Sequence, residues 1–270
     1  TNRRTTNPFN FLEKLPTATN RAYAEHTAAM NQIIYRIIND RRQNPAAADD
    51  LLGMFMAAVD EETGETMTDK QLRDEIMTIF IAGHETTATA LAWGWMILSQ
   101  QPAIRAQLQA EIDEVLQGRL PTADDFASLP YTLMFFKEVL RLYPPVPLIG
   151  RTPLERDEIG GYEIEPMTTV IISPYLLHRH PDFWDNPEGF DPYRFTAEAE
   201  KTQHKFVYLP FGGGPRLCIG NNFALLEAVL ILATIVPRYE LNLLPAAHIE
   251  PDISLTIRPK NGLLVQAVER

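Results

Sequence analysis

Residues 211–220 of the chain read Phe-Gly-Gly-Gly-Pro-Arg-Leu-Cys-Ile-Gly, and this stretch holds the only cysteine of the 270 residues, Cys218. Three consecutive glycines and a proline do not form a helix, but they let the backbone approach a flat partner closely. From Ile219 to Ala233 the composition becomes almost wholly apolar, which predicts a helix that is buried on nearly all sides. The sulfur therefore precedes the N-terminus of a buried helix, and we expect loop N–H groups to turn towards it.

The surroundings of Cys218 favour a thiolate over a thiol. The positive end of the following helix and the cation Arg216 both stabilise a negative sulfur, which a nucleophile or a metal ligand requires. The structural alternative is a small buried hydrophobic residue. A phosphate-binding loop does not fit, because no Lys-Ser or Lys-Thr pair follows the glycines, and the spacing is not that of a dinucleotide-binding loop.

The overall composition is that of a soluble globular protein, with 45% hydrophobic and 22% charged residues. A net charge of -11 argues against a nucleic-acid partner. A single cysteine cannot form an intrachain disulfide, so a reducing, cytoplasmic setting is expected. The longest apolar run, residues 88–98, is shorter than the ~20 residues that cross a bilayer. The chain starts at Thr1 without a methionine, which suggests a piece of a longer protein and leaves an upstream membrane anchor open.

A long helix is predicted from the capping box at Thr68 to Gln100, where Pro102 stops it. Its apolar residues point in all directions, which predicts a path through the core. The polar cluster in its middle, residues 82–87, reads Ala-Gly-His-Glu-Thr-Thr. A zinc-protease motif fails because Ala88 stands where the second histidine belongs. A purely structural role stays open, with the threonines bonded to helix carbonyls and Glu85 facing solvent.

Other patterns predict shorter elements along the chain. Helices are expected near residues 20–42, 51–59, 103–116 and 129–142. Residues 162–165 and 168–173 alternate like two strands joined around Pro166-Met167, and residues 249–268 like strands with a turn at Asn261-Gly262. His178 and His180 are expected to be hydrogen-bonded loop residues.

Glu138 and Arg141 form an i, i+3 pair within a mostly apolar helix. An exposed pair of this kind contributes only ~0.2–0.5 kcal/mol. Apolar residues surround this pair on most sides, so we expect it to be buried and to need a further partner. Arg194, in the sequence Phe-Asp-Pro-Tyr-Arg-Phe at residues 190–195, is the candidate.

Together these motifs resemble those of one family. Residues 211–220 match every position of the F-x-x-G-x-R/H-x-C-x-G haem loop, so the chain resembles the haem-thiolate proteins of the cytochrome P-450 superfamily. Residues 82–87 resemble its oxygen-binding segment, residues 138–141 its E-x-x-R motif and residues 190–195 its F-x-P-x-R-F segment. The resemblance implies a mainly helical fold with small β-sheets. It also implies that residues 1–270 form the C-terminal portion of a single haem-thiolate monooxygenase domain, without its N-terminal third or more.

The resemblance implies a role for each motif residue. Haem b would have the Cys218 thiolate as the proximal ligand of its iron. Arg151 and Arg216 would each pair with a propionate, since a planar guanidinium matches a carboxylate. Glu85 and Thr86 would be catalytic and deliver protons. The remaining assignments are Ala82, Phe211, Gly212 and Gly220 beside the cofactor, Val146, Leu148, Leu255 and Thr256 beside substrate, and Glu138, Arg141 and Arg194 as a structural triad.

The implied function is insertion of one oxygen atom from O2 into a C–H bond of an apolar substrate such as a fatty acid. No flavin or nicotinamide motif occurs in the sequence, so electrons would come from a separate ferredoxin or flavin reductase. Two alternatives within the family are a truncated haem-binding half-domain without turnover and a peroxide-using haem-thiolate enzyme. A third alternative is a hydrolase with Cys218 as nucleophile and a distant histidine. We expect residues 1–270 alone not to be fully active.

Overall fold

The computed structural model of the protein describes residues 15–44, 50–245 and 249–270. Most of the described chain is helical and its strands form only short antiparallel pairs, which confirms the predicted fold class. The helices are α1 (Ala18–Gln43), α2 (Leu51–Ala57), α3 (Asp69–Gln100), α4 (Pro102–Leu116), α5 (Pro130–Leu142), α6 (Pro174–Leu177), α7 (Ala197–Thr202) and α8 (Asn221–Ile235). The strands are β1 (Ile149–Arg151), β2 (Asp157–Ile159), β3 (Tyr162–Ile164), β4 (Val170–Ile172), β5 (Tyr239–Leu243), β6 (Pro251–Ile253), β7 (Ile257–Pro259) and β8 (Val265–Glu269).

The chain divides into two compact units, residues 1–84 and 85–270, and the boundary falls inside α3. In the first unit, Ile34 and Ile38 of α1 pack with Leu72 of α3. The start of α3 has the predicted capping box. The Thr68 hydroxyl accepts from the Gln71 N–H at 3.3 Å, and Gln71 Oε1 accepts from the Thr68 N–H at 2.9 Å.

The prediction that α3 runs through the core is confirmed for its second half and wrong for its first half. Trp93 and Met96 are buried in the core of the second unit, but Phe80 is 61% exposed and Ile81 is 51% exposed. Apolar residues on all sides of a helix are buried only where neighbours cover every side. Within the first unit, α1 packs against Leu72 and so covers one side of α3.

The core of the second unit is built from the second half of α3 with α4, α5 and α8. Helix α8 contributes Ala228, Val229 and Leu232, which are fully buried. The expectation that α8 is almost wholly buried is also wrong, since Phe223 in its first turn is 68% exposed. The packed side of α8 begins about two turns after the cysteine loop.

The two strand segments predicted after α5 exist, and each pairs with a different strand. Residues 162–164 pair with β2 and residues 170–172 pair with β1, so the two segments do not form a hairpin with each other. The reason lies in the turn between β2 and β3, where Gly160 and Gly161 have φ angles of +59° and +84°. Two consecutive left-handed residues form the tight turn that joins antiparallel strands, whereas Pro166 has no N–H group to donate. The turn at Asn261-Gly262 is present, with Gly262 at φ +71°.

The N-terminus of α5 is capped from another helix. Glu111 of α4 accepts the Tyr131 N–H at 2.6 Å, the Thr132 N–H at 2.8 Å and the Thr132 hydroxyl at 2.7 Å. Helix α5 has no side-chain cap from its own N-cap residue, Leu129. Glu111 therefore fixes the start of the helix that carries Glu138 and Arg141.

This cap predicts a measurable loss of stability. The substitution Glu111→Ala should lower the free energy of unfolding by about 2 kcal/mol, because two helix N–H groups and a buried hydroxyl lose their acceptor. Glu114→Ala, at an exposed position of the same helix, is the control and should change it by less than about 0.5 kcal/mol. Urea unfolding followed by circular dichroism measures both, and equal effects would contradict the assigned cap.

Candidate functional site

The cysteine loop is closed by its own backbone. The Cys218 N–H donates to the Phe211 carbonyl at 3.0 Å, and the Leu217 N–H donates to the Gly214 carbonyl at 3.0 Å. Gly212 and Gly214 have φ angles of +74° and +69°, a region that favours glycine. The N–H groups of Leu217 and Cys218 are thus used within the loop, so the expectation that loop N–H groups turn towards the sulfur is wrong for these two.

The outer surface of the loop is open around the sulfur. Cys218 is exposed, and a Cβ added to Gly220 would lie 3.9 Å from its Sγ. A Cβ added to Gly214 would meet no atom within 4 Å. The apolar side chains of Leu217 and Ile219 are 49% and 95% exposed. A thiol flanked by bare backbone and exposed apolar groups fits a flat, largely apolar cofactor such as haem.

Strand β1 borders this loop. A Cβ added to Gly212 would lie 3.7 Å from Ile149 Cδ1. Strand β1 ends at Arg151, which is exposed. Arg216 is also exposed and lies in a short 3-10 helix, residues 214–216. Arg151 Nη1 donates to the Gly150 carbonyl at 2.8 Å. The structure therefore places one of the two predicted propionate partners in the loop and the other on the strand beside it.

Behind the loop, Glu138 and Arg141 form a fully buried ion pair. Arg141 Nε lies 2.6 Å from Glu138 Oε2, and Arg141 Nη2 lies 2.8 Å from Glu138 Oε1. Arg194 Nε lies 3.5 Å from Glu138 Oε1, so the structure brings the three residues of the predicted triad together. This Nε is buried and has no hydrogen-bond partner among the described residues, whereas Arg194 Nη2 donates to the Asn186 carbonyl at 3.1 Å.

The remaining donors of Arg141 bind main-chain carbonyls of the segment that follows α6. Nη1 donates to His178 O at 2.8 Å and to Pro187 O at 2.7 Å, and Nη2 donates to Gly189 O at 2.8 Å. Burial raises the pKa of the Glu138 carboxyl, and the hydrogen bonds from Arg141 oppose that shift. The guanidinium thus holds a long irregular segment in place as well as its carboxylate.

His178 connects this network to the cysteine loop. Its Nδ1–H donates to the Arg141 carbonyl at 3.1 Å, and its Nε2 accepts the Leu209 N–H at 2.8 Å. The Leu209 carbonyl in turn accepts the Gly212 N–H at 3.1 Å. Only a neutral imidazole can donate at one nitrogen and accept at the other. The expectation that His178 is a hydrogen-bonded loop residue is confirmed, and its link to the loop had no signal in the sequence.

On α3, Glu85 is joined to a distant turn. Thr256 Oγ1 donates to Glu85 Oε1 at 2.9 Å, across 171 residues of sequence. Thr86 follows Glu85 and is half-buried. Ala82 comes four residues before Thr86 in the sequence and belongs to the first unit. The sequence predicted Thr256 as a substrate contact, but the structure places its hydroxyl on Glu85.

The other predicted substrate residues are exposed apolar side chains. Leu255 is 68% exposed, Leu148 is 54% exposed and Val146 is 39% exposed. In the described ranges, no three His, Cys, Asp or Glu side chains gather as a metal site. Over the same residues, no helix is both long and apolar enough to cross a membrane.

Comparison with known proteins identifies relatives over nearly the whole chain. A family profile described as "Cytochrome P450" matches residues 1–266. Cyclooctatin synthase of Streptomyces melanosporofaciens is 44% identical over 260 residues, which cover 95% of this chain and 57% of that protein. Cyclooctat-9-en-7-ol 5-monooxygenase of the same organism is 39% identical over 243 residues, 90% of this chain and 53% of that protein.

A solved structure shows the same architecture. The crystal structure of the cytochrome P450DA heme domain superposes with a TM-score of 0.89 at 38% identity, covering 98% of this chain and 58% of that one. The chain therefore spans about half the length of the curated relatives it matches.

The role of His178 predicts a pH dependence of stability. Burial lowers the pKa of His178 to about 4, while the unfolded chain titrates near 6.5. The unfolded state therefore binds more protons between these values, and stability falls as the pH drops through this window. From pH 7 to pH 5 the loss should be about 2 kcal/mol.

The substitution His178→Gln should remove this loss, because glutamine offers a donor and an acceptor but does not titrate. His180→Gln is the control, since His180 is half exposed at the surface of the same loop. Urea unfolding at pH 7 and pH 5 gives the difference for each variant. An unchanged pH dependence in His178→Gln would show that His178 is not the group that titrates.

Proposed function

We propose a function from one premise: this chain belongs to the cytochrome P-450 family. The protein that carries it is a haem-thiolate monooxygenase that inserts one oxygen atom from O2 into a C–H bond of an apolar substrate. The observation that supports this most strongly is Cys218, exposed at the end of a bare glycine loop directly before α8. A structural cysteine would be buried among apolar side chains, and Cys218 is not.

The residues around Cys218 are suited to hold haem. The Cys218 thiolate would bind the iron, with Phe211, Gly212 and Gly220 beside the macrocycle. Arg151 and Arg216 would each pair with a propionate, because exposed guanidinium groups can bind carboxylates through two parallel hydrogen bonds. When bound, haem supplies the redox chemistry that activates dioxygen. The protein holds the sulfur in position through the His178 link to the buried ion pair.

Glu85 and Thr86 would move protons during the reaction. The Thr86 hydroxyl can both accept and donate a proton, and the neighbouring Glu85 carboxyl can resupply it. General acid assistance of this kind contributes about 10²–10⁴ in rate. The proposed task of these two residues is to deliver protons in sequence, so that electrons lead to product and not to peroxide.

The substrate would be an apolar molecule that contacts Val146, Leu148 and Leu255. One relative is named cyclooctat-9-en-7-ol 5-monooxygenase, which specifies a cyclic alkenol oxidised at position 5. We therefore propose a bulky cyclic hydrocarbon or its alcohol as the substrate class, in preference to a fatty acid. Electrons would come from a separate reductase, a ferredoxin or a flavoprotein.

The first test concerns the iron ligand. In the whole protein that carries this chain, Cys218→Ser should abolish the red-shifted Soret band of the reduced, CO-bound form, because the hydroxyl is a poor donor to iron. Cys218 is the only cysteine of these 270 residues, so no other thiolate of this chain can take its place. Haem content is measured in parallel. A variant that retains haem and the red-shifted band would refute the assignment.

The second test concerns proton delivery. Thr86→Ala should leave haem content and the CO spectrum intact, but lower product per electron consumed by about 10-fold or more and raise peroxide release. Thr87→Ala is the matched control, since Thr87 is the next residue of α3 and is buried. If Thr86 only bonds a helix carbonyl, Thr86→Ala should cost roughly 1 kcal/mol of stability and leave coupling at the parent value.

A further inference from the structure

We infer that Thr256 is a positioning residue for Glu85, whose hydroxyl holds the carboxylate in the orientation from which it passes protons to Thr86. The inference rests on the proposed function, because it concerns the acid assigned there. Its basis is the bond from Thr256 Oγ1 to Glu85 Oε1 at 2.9 Å, which joins α3 to the connection between β6 and β7.

In the part of the chain that the structure describes, this is the hydrogen bond that fixes the Glu85 side chain. Glu85 is half-buried, and a glutamate without a fixed partner samples several staggered rotamers. The bond from Thr256 fixes the position of Oε1 relative to a second element, and so it favours one of these rotamers. The Thr256 hydroxyl binds only Oε1 of Glu85. Thr256 therefore leaves Oε2 available to carry the transferred proton.

The donor is itself held rigidly. Thr256 is 3% exposed, and its β-branched side chain has few accessible χ1 rotamers. The next residue, Ile257, accepts from Trp93 Nε1 at 2.9 Å and donates its N–H to the Pro145 carbonyl at 3.0 Å. Trp93 lies about 12 Å along α3 from Glu85. Residues 256 and 257 are therefore tied to the same helix at two places, and the hydroxyl has a defined position relative to the acid.

A simpler role for the bond is to fasten the β6–β7 connection to α3. Two substitutions separate the roles. Thr256→Val keeps the shape of the side chain and removes the donor, whereas Glu85→Gln keeps an acceptor for Thr256 and removes the acid. Thr256→Ser restores the hydroxyl. Thr132→Val is the matched control, because Thr132 is also buried and its hydroxyl also donates to a glutamate, Glu111, at 2.7 Å.

The experiment uses the whole haem-loaded protein that carries this chain. The infrared C–O stretch of the reduced CO complex reports charge and hydrogen bonding near the ligand without turnover, and product per electron reports coupling. Thr256→Val should split or broaden the C–O band and lower product per electron by roughly 10-fold, less than Glu85→Gln, because the acid is present but misplaced. Thr256→Ser should restore both readouts. Thr132→Val should lower the melting temperature and leave both readouts unchanged.

The outcomes distinguish this inference from the proposed function. A parental C–O band and parental coupling in Thr256→Val, with coupling lost in Glu85→Gln, would overturn the role of Thr256 and leave that of Glu85 standing. Parental coupling in Glu85→Gln would overturn both roles. Loss of the red-shifted Soret band in every form, including the parent, would instead contradict the haem-thiolate assignment itself.

Discussion

The buried ion pair of Glu138 and Arg141 is the constraint on which the second unit depends. Two charges removed from water are tolerated only when each is paired and every donor has an acceptor. Arg141 meets this condition by binding the Glu138 carboxylate and three main-chain carbonyls between residues 178 and 189. One guanidinium thus fixes the path of residues 178–189, a segment with little regular structure.

The position of the cysteine follows from that path. His178 donates to the Arg141 carbonyl and accepts from Leu209, and the Leu209 carbonyl receives the Gly212 N–H within the cysteine loop. Each of these hydrogen bonds involves a main-chain group, and the neutral imidazole of His178 connects them. The three consecutive glycines of this loop have no side chains to pack, so this support from behind helps to set where the sulfur lies.

The acid on α3 is held by different contacts. Glu85 is held by Thr256, and the neighbouring Ile257 is held by Trp93 and by the Pro145 carbonyl. The sulfur and the acid are therefore positioned by separate sets of hydrogen bonds within the second unit. The exposed apolar side chains of Val146, Leu148 and Leu255 belong to neither set. These positions, which we propose to contact substrate, can change without disturbing the groups proposed for the chemistry.

The sequence by itself determined the features that depend on nearby residues. The capping box at Thr68, the helix ends, the glycine loop before Cys218 and the burial of Glu138 with Arg141 all follow from patterns within a few residues, where turn chemistry and helical periodicity act. Only the tertiary structure decided which sides of α3 and α8 are covered, which strands pair, and that Thr256 binds Glu85. The last contact joins residues 171 positions apart. Such contacts depend on how whole elements pack against each other, and neither local propensity nor spacing along the chain encodes that packing.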